Sequence, residues 1–248
     1  MNNFFITLPL AIAITSCIPL KQPDPTPKNI GYQCLPVPSE WMEAGSLFEI
    51  DKNGISARIG RVDSIKIMET SSVAFPTYSQ NSNWKIGFLI SSLEKLTASA
   101  GWAASVSADV SNLVSVSSSY GDLKLDLIEG QPETKAKEWF NNSGYKFEEG
   151  KKYYFVREAI KAREVAYEIK SADLAKFGGE AKIKDLAQGK LNVFENKSDG
   201  SYKLSGKYPS PLNVCIKPRE IIPIGAATGQ GLLRFRDVEE EILVEGTR

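Results

Sequence analysis

The sequence predicts an α+β domain in which β-strands dominate. Three observations carry this. A two-residue rhythm runs through residues 98–127, two hairpins are marked by Asn53-Gly54 and Asp199-Gly200, and residues 132–142 alone carry clear helix start and stop signals. Composition agrees: 248 residues, 42% hydrophobic and 24% charged, an ordinary balance for one sizeable core or two small ones.

The rhythm is the feature around which the chain is organised. Trp102, Ala104, Val106, Ala108, Val110, Val114, Val116 and Tyr120 share one parity, while Ser99, Ser105, Ser107, Asp109, Ser111, Ser115, Ser117 and Ser119 hold the other. Alternate side chains of a strand point to opposite faces, so this is a ribbon with one apolar and one hydroxyl-lined side. After Gly121 the parity changes: Leu123, Leu125 and Leu127 alternate with Asp122, Lys124 and Asp126. Two readings stay open. Either these are ordinary antiparallel strands with the apolar side on a core, or they are membrane-crossing strands, which need about 9–11 residues each. Residues 101–112 and 113–127 meet that length, with Asn112 as a turn.

The other elements follow in order. Ser39 opens a short turn over residues 40–43 and is placed to cap it. Residues 47–50 and 55–59 flank Asn53-Gly54 as a hairpin. Residues 61–68 continue as strand, with Ile65 and Ile67 alternating. Residues 70–83 are rich in Ser, Asn, Pro and Thr and read as loop. Residues 84–90 form a short apolar strand. Pro132 in the first turn, Glu133 early and Gly144 as the stop define the helix, which has Trp139 and Phe140 to bury. Residues 153–169 admit two assignments: Tyr153-Tyr154-Phe155-Val156 is strand-like, whereas the second half favours helix by propensity. Residues 171–177 read as a short helix, and residues 190–195 and 201–205 as the second hairpin, ended by a Pro-bounded link. Residues 212–216 are one more strand.

Charge and chemistry exclude several classes. Lys plus Arg and Asp plus Glu each number 30, so nothing favours a nucleic-acid partner. The chain has no His, which removes Ser-His, Cys-His and HExxH arrangements. No nucleophile–base pair can be named, and an enzyme is not expected. No metal or cofactor is expected either: Glu239, Glu240 and Glu241 lack calcium-loop spacing, and residues 225–231 lack the GK[ST] ending of a phosphate loop. Lys151, Lys152, Arg157, Lys161 and Arg163 form a basic cluster interleaved with Glu148, Glu149, Glu158 and Glu164. It reads as a solvated mixed-charge face or as a contact for acidic head groups.

The amino end reads as an address. Residues 4–14 (FFITLPLAIAI) are an apolar run too short to span a bilayer comfortably. They lead into Ile14-Thr15-Ser16-Cys17, which resembles the bacterial lipoprotein signal, although no Lys or Arg lies in Met1-Asn2-Asn3. The resemblance implies cleavage after residues 1–16 and acylation, as by palmitate, of Cys17. An ordinary signal peptide cut elsewhere is the alternative. Residues 17–38 are Pro-rich and read as an extended tether. Residues 39–222 read as one domain and residues 223–248 as a tail. The expected location is exported and lipid-anchored to the bacterial cell envelope, facing the periplasm or the surface, with the bilayer as partner through the lipid. Cys34 and Cys215 are then an even pair in an oxidising compartment, readable as a disulfide or as two buried thiols.

From residue 135 to residue 219 the order of elements resembles the amino-terminal pore-forming domain of the gasdermin family. The helix at 135–142, the run Tyr153-Tyr154-Phe155-Val156-Arg157-Glu158-Ala159, the Gly-led Gly189-Lys190-Leu191-Asn192-Val193 and the closing Pro211-Leu212-Asn213-Val214-Cys215-Ile216-Lys217 carry it. The ribbon at 98–119 is similar to that family's first membrane-inserting region. The resemblance implies a strongly twisted, mainly antiparallel sheet with a few helices, residues 153–169 as strand, and pore formation through self-assembly. It makes Trp102, Ala104, Val106, Ala108, Val110, Val114 and Val116 the candidate membrane-inserting residues. The family's basic first helix has no match here; the Pro-rich segment stands in its place. The alternative is a lipoprotein that binds another protein or a surface polymer without making a pore.

Overall fold

Three long strands form the axis of the molecule. The computed structural model describes residues 31–52, 56–62, 65–71, 77–85, 89, 92–93, 96, 113–175, 192–196, 200–224 and 232–238. Within them lie β1 (Gln33–Ser39), β2 (Ser46–Ile50), β3 (Ser56–Arg61), β4 (Ile67–Ser71), β5 (Thr77–Lys85), β6 (Leu113–Ile128), β7 (Lys152–Lys170), β8 (Asn192–Asn196), β9 (Ser201–Ile224) and β10 (Leu232–Asp237). Helix α1 is Pro132–Ser143 and α2 is Ser171–Leu174. All ten strands belong to one sheet, and every pairing is antiparallel. The expected mainly antiparallel α+β architecture is therefore the observed one.

β7 is central. β9 runs along one edge from Tyr153↔Ile221 to Lys170↔Ser201. The other edge is shared by β2 at its start and β6 beyond. β6 in turn carries β5 and β4 end to end, and β9 carries β8, β1 and β10. This settles residues 153–169 as strand. The helix formers Ala, Glu, Lys and Arg in its second half are overruled because both edges of the strand have partners, while Val165, Tyr167 and Ile169 alternate into the core.

The opening Tyr153-Tyr154-Phe155-Val156 is buried on both faces. Tyr154 and Val156 enter one cluster with Phe48, Leu35 and Ile216; Tyr153 and Phe155 enter another with Leu47, Ala136 and Phe140. Helix α1 covers the second face through Ala136 and Phe140, one turn apart. It ends where Gly144 takes φ 67°, the left-handed cap that glycine adopts without strain. Ser39 caps the following turn as expected, its Oγ accepting from Trp41 N at 3.3 Å and Met42 N at 3.4 Å.

The parity change after Gly121 has a structural cause. Asp122 has φ 49°, a left-handed conformation that is rare outside glycine. Asp122 and Arg163 lie opposite each other but outside the ladder that resumes at Leu123↔Ala162. On β9, Tyr208 to Pro211 bulge between Lys207↔Glu164 and Leu212↔Ala162. β5 ends its pairing at Gly121 and β4 begins at Lys124. A single fold line thus crosses the sheet and divides it into an upper and a lower half.

Several sequence expectations are corrected. The strand expected over residues 61–68 stops at Arg61, and β4 starts only at Ile67. Half of the loop expected over residues 70–83 is β5, whose polar residues face solvent: Ser79, Asn81 and Asn83 are exposed while Trp84 is buried. The strand expected over 84–90 ends at Lys85, and Leu89 is helical. The Pro-bounded link lies inside the 24-residue β9. Pro209 and Pro211 fall in the bulge, where no ladder N–H is needed. Residues 33–38 of the segment read as tether are strand, and residues 232–237 of the segment read as tail are β10.

Candidate functional site

The upper half of the sheet sorts its residues by face. β5 and β6 pair without interruption from Thr77↔Gly121 to Lys85↔Leu113. Val114, Val116 and Tyr120 point inward with Trp84, all at most 1% exposed. They pack with Val165, Tyr167, Ile169, Tyr202 and Leu204 and with Leu89, Leu93 and Leu96. Ser115 and Ser117 are exposed on the opposite face. Over residues 113–117 this is the two-sided ribbon that the alternation predicted; residues 98–112 of it lie outside the described residues, and beyond Gly121 the sorting fails at Asp126, which is buried while Leu125 and Leu127 are partly exposed.

The polar face is organised across four strands. Register places Asn81 beside Ser117, Ser117 beside Glu168, and Glu168 beside Lys203. Ser117 Oγ donates to Asn81 Oδ1 at 2.6 Å, and Ser201 Oγ donates to Glu168 Oε1 at 3.2 Å. Ser79, Asn81, Ser117, Ser119, Glu168 and Lys203 help line an open groove of about 210 Å³. It presents hydroxyl, amide, carboxylate and ammonium groups.

The inner face carries polar groups that composition could not locate. The hydroxyls of Tyr167 and Tyr208 share a hydrogen bond, and Trp84 stands edge-on to Tyr167 at 5.1 Å. Burial pushes both phenols well above the ordinary tyrosine range. Their protons are held in the folded protein.

Below the fold line, Asp126 is 2% exposed and receives Lys161 Nζ at 2.6 Å. Lys161 also lies 4.0 Å from Glu69, which Lys124 holds at 2.7 Å. The hydrogen bond from Lys124 lowers the Glu69 pKa. Lys151 reaches Glu49 at 2.8 Å and Glu148 at 3.0 Å, and Arg157 lies 3.8 Å from Glu158. Three members of the basic cluster are therefore held by carboxylates, as a mixed-charge surface requires.

Cys34 and Cys215 form a disulfide, paired directly across β1 and β9. Of the candidate membrane-inserting residues, Val114 and Val116 lie in the core. Trp102, Ala104, Val106, Ala108 and Val110 lie outside the described residues, as do Cys17, Glu239 to Glu241 and the Gly-rich 225–231. No helix among the described residues is long and apolar enough to cross a membrane. No group of three or more acidic or Cys side chains able to hold a metal occurs among the described residues.

These features define a class: a one-sheet α+β protein with a central three-strand ribbon and faces of opposite polarity. A bacterial gasdermin from Bradyrhizobium tropiciagri is a solved structure to which the chain is similar, with a TM-score of 0.43 and 15% identity over 84% of this chain and 88% of that one. No protein-family model matches the sequence, and no curated protein does.

Proposed function

We propose that the protein is an exported lipoprotein, held to the bacterial cell envelope by an acyl chain on Cys17. Its sheet domain inserts the ribbon of residues 98–127 into a bilayer and assembles with further copies into a pore. One observation supports this above others. β6 is a 16-residue strand with Val114 and Val116 on one face and Ser115 and Ser117 on the other. A bilayer-crossing strand needs about 9–11 residues with this sorting of lipid and water sides. The sequence resemblance to the gasdermin family points the same way. Insertion exchanges one apolar surrounding for another: Val114 and Val116 leave the core for lipid tails.

The groove on the polar face favours a second reading, a lipoprotein that binds a partner protein or a surface polymer and makes no pore. The experiment that separates them exposes the full chain to phosphatidylethanolamine–phosphatidylglycerol vesicles filled with a self-quenching dye. The pore reading expects dye release and ring oligomers by electron microscopy. Intact vesicles with a monomeric chain refute it. Acylation is tested separately: Cys17→Ser moves the chain from the membrane fraction to the soluble fraction, and an unacylated amino end in the mature parent refutes the anchor.

A further inference from the structure

β5, above the fold line, and β1, below it, meet across the molecule. In sheet order β5, β6, β7, β9 and β1 are successive neighbours, yet Gln80 Nε2 of β5 donates to Leu35 O of β1 at 2.8 Å. The sheet curls until β1 closes against β5 around the core that holds Trp84, Val116 and Tyr167. The ladder of β1 is interrupted: its register shifts between Cys34 and Ser39, with Gln33↔Ile216, Cys34↔Cys215 and Ser39↔Asn213 as pairs among the described residues. Single side-chain bonds supplement them: Tyr32 OH to Glu158, and Asn213 Nδ2 to Ser39 O at 2.9 Å. Between them sits the one covalent tie, Cys34–Cys215.

We propose that this disulfide is a redox lock on the seam. Oxidised, it holds β1 on β9 and so keeps Leu35 O within reach of Gln80. Reduced, it leaves β1 on its interrupted ladder alone, and the seam between β1 and β5 opens while β7 and its two long partners keep their pairing. The chemistry is exchange with a dithiol. A thiolate attacks the sulfur of Cys34, a residue of an edge strand that is 9% exposed where Cys215 is 0%. A mixed disulfide forms and Cys215 leaves as a thiolate. The second thiol of the reductant displaces Cys34, so two electrons pass to the protein, the reductant becomes a disulfide, and both cysteines take up protons.

The test is hydrogen–deuterium exchange by mass spectrometry on the intact chain, oxidised and after dithiothreitol, with reduction verified by alkylation. Exchange over residues 32–39 and over β5 rises by at least about tenfold on reduction, while β7 is unchanged. Cys34→Ser reproduces the reduced pattern without reductant. The lock is overturned if β5 exchange does not change on verified reduction, if β7 loses protection along with the seam, or if Cys34 and Cys215 are free thiols in the aerobically purified chain. Vesicle release measured on the same two forms reports separately on the pore: a seam that opens with intact vesicles upholds the lock and removes the pore reading.

Discussion

Replacing Gly60 by alanine isolates one contact that seats helix α1 on the sheet. A Cβ built on Gly60 falls inside the indole of Trp139, 2.9 Å from Cε2 and Cη2 and nearer still to Cζ2. The ring is rigid, so it must leave or α1 must lift. Trp139 also stands edge-on to Phe140 at 5.0 Å and beside Tyr145 at 6.3 Å. Aromatic pairs contribute about 0.5–1.5 kcal/mol each beyond area, and overpacking costs about 1–3 kcal/mol, so the expected loss is about 2–3 kcal/mol. Propensity alone points the other way, since alanine is favoured over glycine inside a strand by about 0.5–1 kcal/mol. Guanidinium unfolding of Gly60→Ala, Trp139→Ala and the double variant closes a thermodynamic cycle. The double variant should be no less stable than Trp139→Ala alone. A Gly60→Ala protein as stable as the parent, or strict additivity, refutes the seating.

Three further outcomes are expected. Cys34→Ser with Cys215→Ser opens a sequence separation of 181 residues; the chain-entropy relation gives a loss of about 5 kcal/mol in denaturant unfolding, and a loss below about 1 kcal/mol contradicts it. Lys161→Met strands the buried Asp126 carboxylate and lowers stability by about 3 kcal/mol, whereas adding Asp126→Leu restores much of it; equal instability of single and double variants contradicts the pairing. At alkaline pH, Tyr167 and Tyr208 keep their protons in the folded state, where their pKa is raised, but release them in the unfolded chain near the ordinary value of 10.0. Stability is therefore full below that pH and declines above it. Absorbance at the phenolate band should show both ionising only with unfolding, and smooth ionisation of all tyrosines in folded protein contradicts this.

Much of the architecture was legible where a period was clean. The alternation from Leu113 onward predicts β6, and Pro132 with Gly144 brackets α1 almost to the residue. The polar strand β5 was hidden because its exposed side supplies Ser79, Asn81 and Asn83, which resemble a loop when read without their partners. β7 was divided between helix and strand because its outward residues are strong helix formers. Its decisive constraint, pairing on both edges, is not local. The break after Gly121 was visible as a parity change, but its alignment with Arg163 and with Pro209 and Pro211 depends on register. Of the site, the cysteine pair could be anticipated by counting, once the amino end is read as an export signal. The Tyr167–Tyr208 pair, separated by 41 residues, has no signature short of the fold.

The line through Asp122, Arg163 and the Tyr208 to Pro211 bulge resembles a crease scored across a sheet of card. The bend falls on residues already outside the regular ladder, while one core joins Val116 and Tyr167 above it to Ile160 and Val214 below and fixes the angle between the panels. The sheet turns there at one place, and the long strands keep their register on either side of it.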